Sequence, residues 1–255
     1  TSYQYFGDED VFERFFGESQ KLVVVMEATD DLPGTEIFLN YIQPHDFGTV
    51  SEGQSYSGSG GACDEGFNGG WYTLTTSGVT TIDATLTSPP DQDIDFYMYT
   101  PSIGTGGYEQ VASDLTSGGG PVDIEPFTLY GSGTFAIQVE CWEAAQSHTL
   151  ALDVLAPPNY EDLGTVAADS TAATTAAPNL TDGDQLTTAF TATAGQVLEF
   201  SHSNSQGEPA DLELYNSAGE EVISWSDVPT RNNSGYAYYY TDAGGSYTLV
   251  AEATA

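Results

Sequence analysis

The sequence predicts an all-β protein built of two tandem jelly-roll-like antiparallel β-sandwiches, preceded by an N-terminal strand segment. Gly, Ser, Thr and Tyr are abundant, and no long stretch has the hydrophobic period of a helix. Short runs alternate apolar and polar residues, as strands with one buried face do. The tetrapeptide Phe-Gly-Thr-Val at 47–50 returns as Leu-Gly-Thr-Val at 163–166, 116 positions later (163 − 47), which indicates two copies of one domain.

Both copies follow one strand plan, and we expect the sandwiches to span residues 47–156 and 157–255. Each has a strand-like run, a turn at Gly78 or Gly195, a second run, an acidic strand and a glycine-led strand. The predicted strands are residues 71–74, 81–86, 93–97, 133–139 and 148–154 in the first copy, and 186–190, 197–201, 211–215 and 245–250 in the second. Two prolines predict a stiff linker over residues 157–162.

The last strand of the plan is present in one copy only. Residues 148–154 alternate so that Leu150, Leu152 and Val154 share one face, whereas the second copy stops at Ala255 after its glycine-led strand. A β-sandwich without its last strand has an unpaired edge and an uncovered groove in its core. We therefore expect the second sandwich to lack its last strand.

Residues 1–46 resemble the end of a third copy and form the N-terminal strand segment. Residues 21–29 match the glycine-led strand, and residues 36–42 stand where 148–154 stands in the first copy. The apolar runs of this segment are candidate donor strands for the incomplete sandwich of another molecule. The candidate residues are Leu22, Val23, Val24, Val25, Met26, Ile37, Leu39 and Tyr41. The pattern leaves open which run is inserted, and whether it enters another molecule or its own.

Charge excludes several classes of partner. The chain has 38 Asp and Glu against 3 Lys and Arg, for a formal net charge of −35. Such a chain repels phosphate backbones and anionic membrane surfaces, so we expect no nucleic acid partner. No apolar run approaches membrane-spanning length, so membrane insertion is not expected either. The acidity and the first residue, Thr1, predict a secreted protein of the extracellular space or cell surface, after removal of an export signal.

The chain has two cysteines, Cys63 and Cys141, and both lie in the first copy. One precedes the first predicted strand of that copy, and the other follows its glycine-led strand. In an exported protein an even pair of cysteines indicates a disulfide bond. The alternative is two buried free thiols.

The copies resemble the pre-peptidase C-terminal domain family, small jelly-roll-like sandwiches that are appended to secreted prokaryotic proteases and other exported proteins. The residues that carry the resemblance are 71–74, 93–97 and 133–139 in the first copy, with looser matches at 210–215 and 245–250 in the second. The resemblance implies a non-catalytic module that binds, spaces or assembles. This chain departs from the family pattern because no protease domain is attached and the second copy lacks the closing strand.

Three acidic residues alternate in one predicted strand. In a strand, Asp91, Asp93 and Asp95 point to the same side, and carboxylate oxygens of this kind suit Ca²⁺. The resemblance adds to this interpretation, since some related collagen-binding modules hold calcium. The alternative is a solvated acidic face on the side of the sheet opposite the core.

An aromatic stripe and two sequons are the other candidate features. Tyr236, Tyr238 and Tyr240 alternate, and they would either stack on sugars or a neighbouring subunit, or pack in the core. Asn179 and Asn232 lie in glycosylation sequons, which permit surface glycans.

Together these patterns predict a structural subunit of an extracellular prokaryotic filament or pilus-like fibre. The subunit would be its own partner, because head-to-tail contacts that do not close into a ring make an open fibre. The alternative is a secreted adhesion module that binds carbohydrate or collagen, assisted by calcium; a fragment of a longer repeat array is a third hypothesis. The histidines have no ligand spacing, and neither a serine elbow nor a catalytic cysteine pattern occurs, so no enzyme is expected.

Overall fold

The computed structural model describes residues 43–60, 70–89, 94–101, 108–114, 121–141, 147–173, 184–203, 208–231 and 235–253. Over these ranges the regular secondary structure is β-strand, which confirms the all-β class. The N-terminal segment up to residue 42, with every candidate donor residue, lies outside the described ranges. No helix in the described ranges is long and apolar enough to cross a lipid bilayer.

Over the described ranges, the first sandwich contains nine strands in two sheets. The strands are β1 His45–Thr49, β2 Ser55–Gly60, β3 Gly70–Ser77, β4 Thr80–Thr87, β5 Ile94–Pro101, β6 Tyr108–Asp114, β7 Pro121–Leu129, β8 Ser132–Cys141 and β9 His148–Leu155. One sheet has the order β1-β3-β8-β5-β6 and the other β2-β9-β4-β7. Strands β2 to β9 therefore form the two four-stranded sheets of a jelly roll, and β1 adds to the edge at β3.

The core of this sandwich draws on both sheets. Leu150, Leu152 and Val154 of β9 are buried between them, as their alternation predicts. They pack with side chains from the facing sheet that are also almost inaccessible, such as Phe96 and Phe135. Strand β9 is central to its sheet, since it pairs with β2 on one side and β4 on the other.

The second sandwich repeats one sheet completely and the other in part. Its strands are β10 Tyr160–Thr165, β11 Gln185–Ala192, β12 Val197–Phe200, β13 Ala210–Tyr215, β14 Glu221–Val228, β15 Ala237–Tyr240 and β16 Gly245–Ala253. The order β10-β11-β16-β13-β14 reproduces β1-β3-β8-β5-β6 strand for strand, whereas the other sheet contains β12 and β15. Within the described ranges, nothing stands in the places of β2 and β9.

The repeated tetrapeptide is a bulge in a parallel edge strand. The Gly48 amide donates to Asp46 Oδ1 at 2.8 Å, and the Gly164 amide donates to Asp162 Oδ1 at the same distance. Both glycines have positive φ, 72° and 65°, which is the conformation that glycine adopts most easily. The pairing of β1 with β3 and of β10 with β11 shifts register at this point. The sequence analysis did not predict β1 and β10, because these short strands lack an alternating apolar pattern.

Strand β10 also shortens the predicted linker. It begins at Tyr160, so the connection between the sandwiches is residues 156–159, instead of extending to residue 162. The strand has no fully buried residue, and for this reason its sequence resembles a loop.

A tyrosine pair joins the two sandwiches. The rings of Tyr130 and Tyr215 lie 4.4 Å apart between centroids, and the Tyr130 hydroxyl donates to Gln185 Oε1 at 3.0 Å. Burial raises the pKa of Tyr130 to about 12. A Cβ atom on Gly131 would lie 2.3 Å from the Gly219 backbone nitrogen, so the close approach of these two turns requires glycine.

Candidate functional site

The outer edge of β12 is the main structural difference between the two sandwiches. In the first, β4 pairs with β7 on one side and with β9 on the other. In the second, β12 pairs with β15, and no other described strand is hydrogen-bonded to it. Free backbone N–H and C=O groups along a strand edge are a template for another strand.

The register identifies the equivalent residues on the two edges. Leu74 pairs with Phe135 and Phe190 pairs with Tyr247, so positions 116 apart correspond at this point (190 − 74). The same offset relates the core-facing side of β4 to that of β12 and the residues after it (198 − 82). The corresponding pairs are Ile82 with Leu198, Ala84 with Phe200 and Leu86 with His202.

Side chains beside this edge are less well covered than their counterparts. Ile82 is inaccessible, whereas 8% of Leu198 remains exposed. Val50 is 3% exposed, but its counterpart Val166 is only half-buried. The difference follows from β9, whose inward side chains cover this part of the first core.

Aromatic rings line the floor of the resulting groove. The ring of Phe200 lies 6.0 Å from Phe190 and 5.8 Å from Trp225, measured between centroids. Tyr239 and Tyr247 extend the same cluster at 6.0 Å from each other. Phe200 stands where the first sandwich has the small Ala84, and it is partly buried against the core cluster of the second sandwich.

The turn that follows β10 has the same conformation as the turn that follows β1 in the first sandwich. The Gln54 amide donates to Ser51 O and the Ser170 amide to Ala167 O, each at 3.2 Å. Gly53 (φ 75°) and Asp169 (φ 57°) occupy equivalent places in these two turns. In the first sandwich the Gly53 amide goes on to bond Val154 O of β9 at 2.8 Å.

The residues that follow these turns differ. In the first sandwich they form β2, whose one pairing partner is β9. In the second sandwich residues 171–173 are exposed and outside any strand. Over the described ranges, the groove beside β12 therefore contains no strand at the place that β9 occupies in the first sandwich.

The tyrosine stripe lies on the outer face of the same small sheet. Tyr236, Tyr238 and Tyr240 are 37%, 54% and 56% exposed, while Ala237 and Tyr239 pack inward. The stripe is therefore not part of the core. A hydrogen bond to Glu199 raises the pKa of Tyr238. A role for these rings as an interface stays a prediction.

The acidic strand is described from Ile94 onward, so Asp91 and Asp93 lie outside the described ranges. Asp95 is on the side of β5 opposite the core but is only 5% exposed, which does not fit a solvated face at that position. It accepts a hydrogen bond from the Tyr97 hydroxyl at 3.3 Å. Burial, followed by the charges of Glu140 and Asp95, raises the pKa of Tyr97. Over the described ranges no cluster of three His, Cys, Asp or Glu could hold a metal ion, and a calcium site stays a prediction.

Other predicted residues lie outside the described ranges. These residues are Cys63, Asn179 and Asn232. Cys141 ends β8. The disulfide and the glycosylation therefore stay predictions.

A buried histidine in the closed sandwich was not singled out by the sequence. Nε2 of His148 is hydrogen-bonded to the Tyr72 hydroxyl at 2.6 Å, and its Nδ1 is buried without a partner. Burial lowers the pKa of His148 to about 4 and raises that of Tyr72 to about 12. Gly60 permits the contact, since a Cβ there would lie 1.9 Å from the imidazole ring.

The open edge itself was predicted from the sequence, but the residues that line it were not. Leu198, Phe200 and Asp169 could have been found by carrying the 116-residue offset through the whole second copy. The repeat of this turn is hard to see in the sequence, since Asp169 stands where the first copy has Gly53. Aspartate is among the few residues that tolerate this backbone conformation.

Comparison with known proteins shows weak structural likeness. The pre-peptidase C-terminal domain of a collagenase from Bacillus anthracis is similar at 14% identity and a TM-score of 0.33, covering 45% of this chain and 97% of that one. The Yersinia pseudotuberculosis-derived mitogen is similar at 16% identity and a TM-score of 0.25, covering 48% and 95%. The STIV MCP is similar at 9% identity and a TM-score of 0.22, covering 79% and 96%. No protein-family model matches the chain, and no curated protein matches it.

Proposed function

We propose that this chain is a structural subunit of an extracellular prokaryotic filament and has no catalytic role. Subunits polymerise head to tail, and the N-terminal segment of one molecule supplies the strand that completes the second sandwich of the next. The observation that carries the proposal is the edge of β12 that no described strand pairs with, at the position where the equivalent strand β4 is paired with β9.

The energetics of strand insertion favour this assembly. Fully burying an aliphatic side chain contributes about 1.5–3 kcal/mol, and a donor strand with three inward apolar residues covers Leu198, Phe200 and Val166 at the same time. Main-chain hydrogen bonds to β12 add about 0.5–1.5 kcal/mol each. Ordering the donor segment offsets part of this gain. Because donor and groove are on different parts of the molecule, each subunit can bind one neighbour at either end.

The net charge of −35 makes assembly depend on salt. Like-charged subunits repel each other, and screening shortens that repulsion from about 10 Å at 0.1 M salt to about 3 Å at 1 M. A saline setting or bound cations would therefore favour the polymer over the monomer.

The test is polymer formation across a salt series, measured by sedimentation and negative-stain electron microscopy. We expect the full chain to form fibres whose yield rises with salt. A chain without residues 1–42, which leaves β1 intact, should remain monomeric. A shortened chain without residues 1–20 is the matched control and should still polymerise. Monomers of the full chain at every salt concentration, or fibres of equal yield without residues 1–42, would refute the proposal.

A second candidate function is adhesion to carbohydrate or collagen, assisted by calcium, and the exposed tyrosine stripe favours it. Exposed aromatic rings in a row present flat faces on which sugar rings stack. Retention on insoluble glycan or collagen, measured with and without Ca²⁺, tests this function. The variant Tyr238→Ser should reduce retention, and Tyr160→Ser, at an exposed tyrosine away from the stripe, is the control.

A further inference from the structure

We infer that the inserted strand is segment 36–42 of a second copy of this chain, running antiparallel to β12 with Ile37, Leu39 and Tyr41 facing the groove. The inference rests on the proposed function and adds the identity, direction and register of the donor. Three observations lead to it: the order of strands along the chain, the strand type that is missing, and the pattern of side chains on each face.

The order of strands places segment 36–42 correctly. Within one chain, β9 is followed after four residues by β10, the edge strand of the next sandwich. Segment 36–42 is followed after two residues by β1, which is the equivalent edge strand. His45 pairs with Tyr72 as Glu161 pairs with Thr188, at an offset of 116 on both strands (161 − 45 and 188 − 72). Insertion of this segment would give the joint between two molecules the same order of strands as the joint between the two sandwiches of one molecule, with a connection three residues shorter (161 − 154 against 45 − 41).

The other main candidate run is excluded because it matches a type of strand that the second sandwich already contains. Residues 22–26 belong to a segment that matches the glycine-led strands β8 and β16. The second sandwich already has β16 in place, paired with β11 and β13. The place that is open corresponds to β9, and segment 36–42 is the run of the N-terminal region that matches β9.

The register of β9 can be transferred to the donor. In the first sandwich Val154 pairs with Ile82, and Leu152 with Ala84. The three alternating apolar residues of the donor fit this spacing when Tyr41 takes the place of Val154 (154 − 41 = 113), which puts Tyr41 opposite Leu198, Leu39 opposite Phe200 and Ile37 opposite His202. A register shifted by one residue, with 36–42 directly on 148–154, would turn the polar Asn40 towards the core. All three inward residues of the donor are apolar, as the three inward residues of β9 over this stretch are.

The outward face is compatible with this register. In the first sandwich Asp153 lies opposite Asp83, and Ser55 donates a hydrogen bond to Asp153. In the transferred register the outward position opposite Glu199 is Asn40. An amide there avoids a second carboxylate beside Glu199, which matters because like charges directly opposite each other destabilise a sheet.

The donor also has a pairing partner on its second side. Strand β2 of the first sandwich is held by β9 through residues such as Ser55 and Tyr56. Residues 171–173 are their counterparts and lie outside any strand. Insertion would therefore convert residues 171–173 into an edge strand, and their amides should become protected from hydrogen exchange on assembly.

Cysteine cross-linking tests the donor and its register. Chains carrying Asn40→Cys are mixed with chains carrying Glu199→Cys and mildly oxidised. Directly opposite residues in an antiparallel pair have Cβ atoms roughly 4.5–5.5 Å apart, within reach of a disulfide after small adjustment, whereas diagonal neighbours are roughly 7–8 Å apart. We expect disulfide-linked dimers between the two variants, and their loss when Ser201→Cys replaces Glu199→Cys as a two-residue slip control.

The other outcomes separate this inference from the proposed function. Fibres in which Glu199→Cys links to Val24→Cys instead of Asn40→Cys would overturn the choice of segment and leave the filament intact. A link that forms only when both cysteines are on one chain, in a monomer, would overturn the inference and the filament together. Absence of both fibres and links would do the same.

Discussion

The two sandwiches follow one plan, and they differ in how completely the plan is carried out. The first has two full sheets over a core in which Ile82, Leu150 and Leu152 are inaccessible. The second repeats the larger sheet, with the same bulge in its parallel edge strand, but its smaller sheet consists of β12 and β15 within the described ranges. Its groove residues Phe200, Tyr239 and Val166 are only partly buried.

This difference shows which part of the plan can be separated from the rest. The sheet β10-β11-β16-β13-β14 has the same strand order as its counterpart, and within the described ranges no strand stands in the places of β2 and β9. The removable part is therefore one central strand and the edge strand that depends on it. It is also the part that the proposed donor strand would supply.

The largest expected effect comes from truncating the equivalent core positions of β4 and β12. Ile82→Ala should lower the free energy of unfolding of the first sandwich by about 3–4 kcal/mol, because it leaves a cavity under β9. Leu198→Ala in unassembled subunits should cost about half as much, since one side of the residue is not covered by a strand. Hydrogen exchange of β8 and β16 peptides in a urea series measures both effects.

The same pair of variants sharpens the comparison in assembled material. The cost of Leu198→Ala should rise towards that of Ile82→Ala in fibres, where the groove is filled. Equal costs in subunits and in fibres would mean that no strand covers Leu198 on assembly.

A somewhat smaller effect is expected from pH, and it should be confined to the first sandwich. His148 is neutral when folded, with a pKa of about 4, whereas an unfolded histidine takes up a proton near pH 6.5. The stability from this group is therefore complete above pH 6.5 and is lost as pH falls towards 4, by about 3 kcal/mol in total. Urea unfolding at a series of pH values measures the slope. His148→Phe is the control, and it should remove this part of the slope while the contribution of the carboxylates persists.

The smallest effect is expected at the repeated bulge, where the two sandwiches are most alike. Asp46→Ala and Asp162→Ala each remove the bond to a glycine amide and should cost about 1 kcal/mol. Asp46 also accepts a bond from Thr73 Oγ1 at 3.1 Å, so its loss should cost slightly more. Thermal unfolding of the two variants measures the difference. A much larger cost in one sandwich would show that the bulge supports more than its local turn.

Strands with a strong apolar alternation were predictable, and weaker ones were not. Residues 148–154 fall in β9, where one buried face leaves a period of two. Residues 71–74 fall in β3, whose aromatic and β-branched residues are typical of a strand although Tyr72, Thr73 and Leu74 are all buried. Strands β1, β2 and β10 were missed because they lie at sheet edges with few buried side chains. For the candidate site, the difference between the two copies predicted an open edge. The position of Phe200 beside that edge could not be predicted, because it depends on the register of β12 with β15.

The sequence by itself determined that the chain is all-β and that it repeats, and it predicted a second copy without the strand corresponding to β9. These properties depend on local periodicity and on the order of motifs along the chain, and both can be read from the sequence alone. Only the tertiary structure decided which edge is left unpaired, that the tyrosine stripe faces outward, and that His148 is buried against Tyr72. Those properties depend on the register of strands distant in the chain, since hydrogen bonding between them selects which side chains face the core.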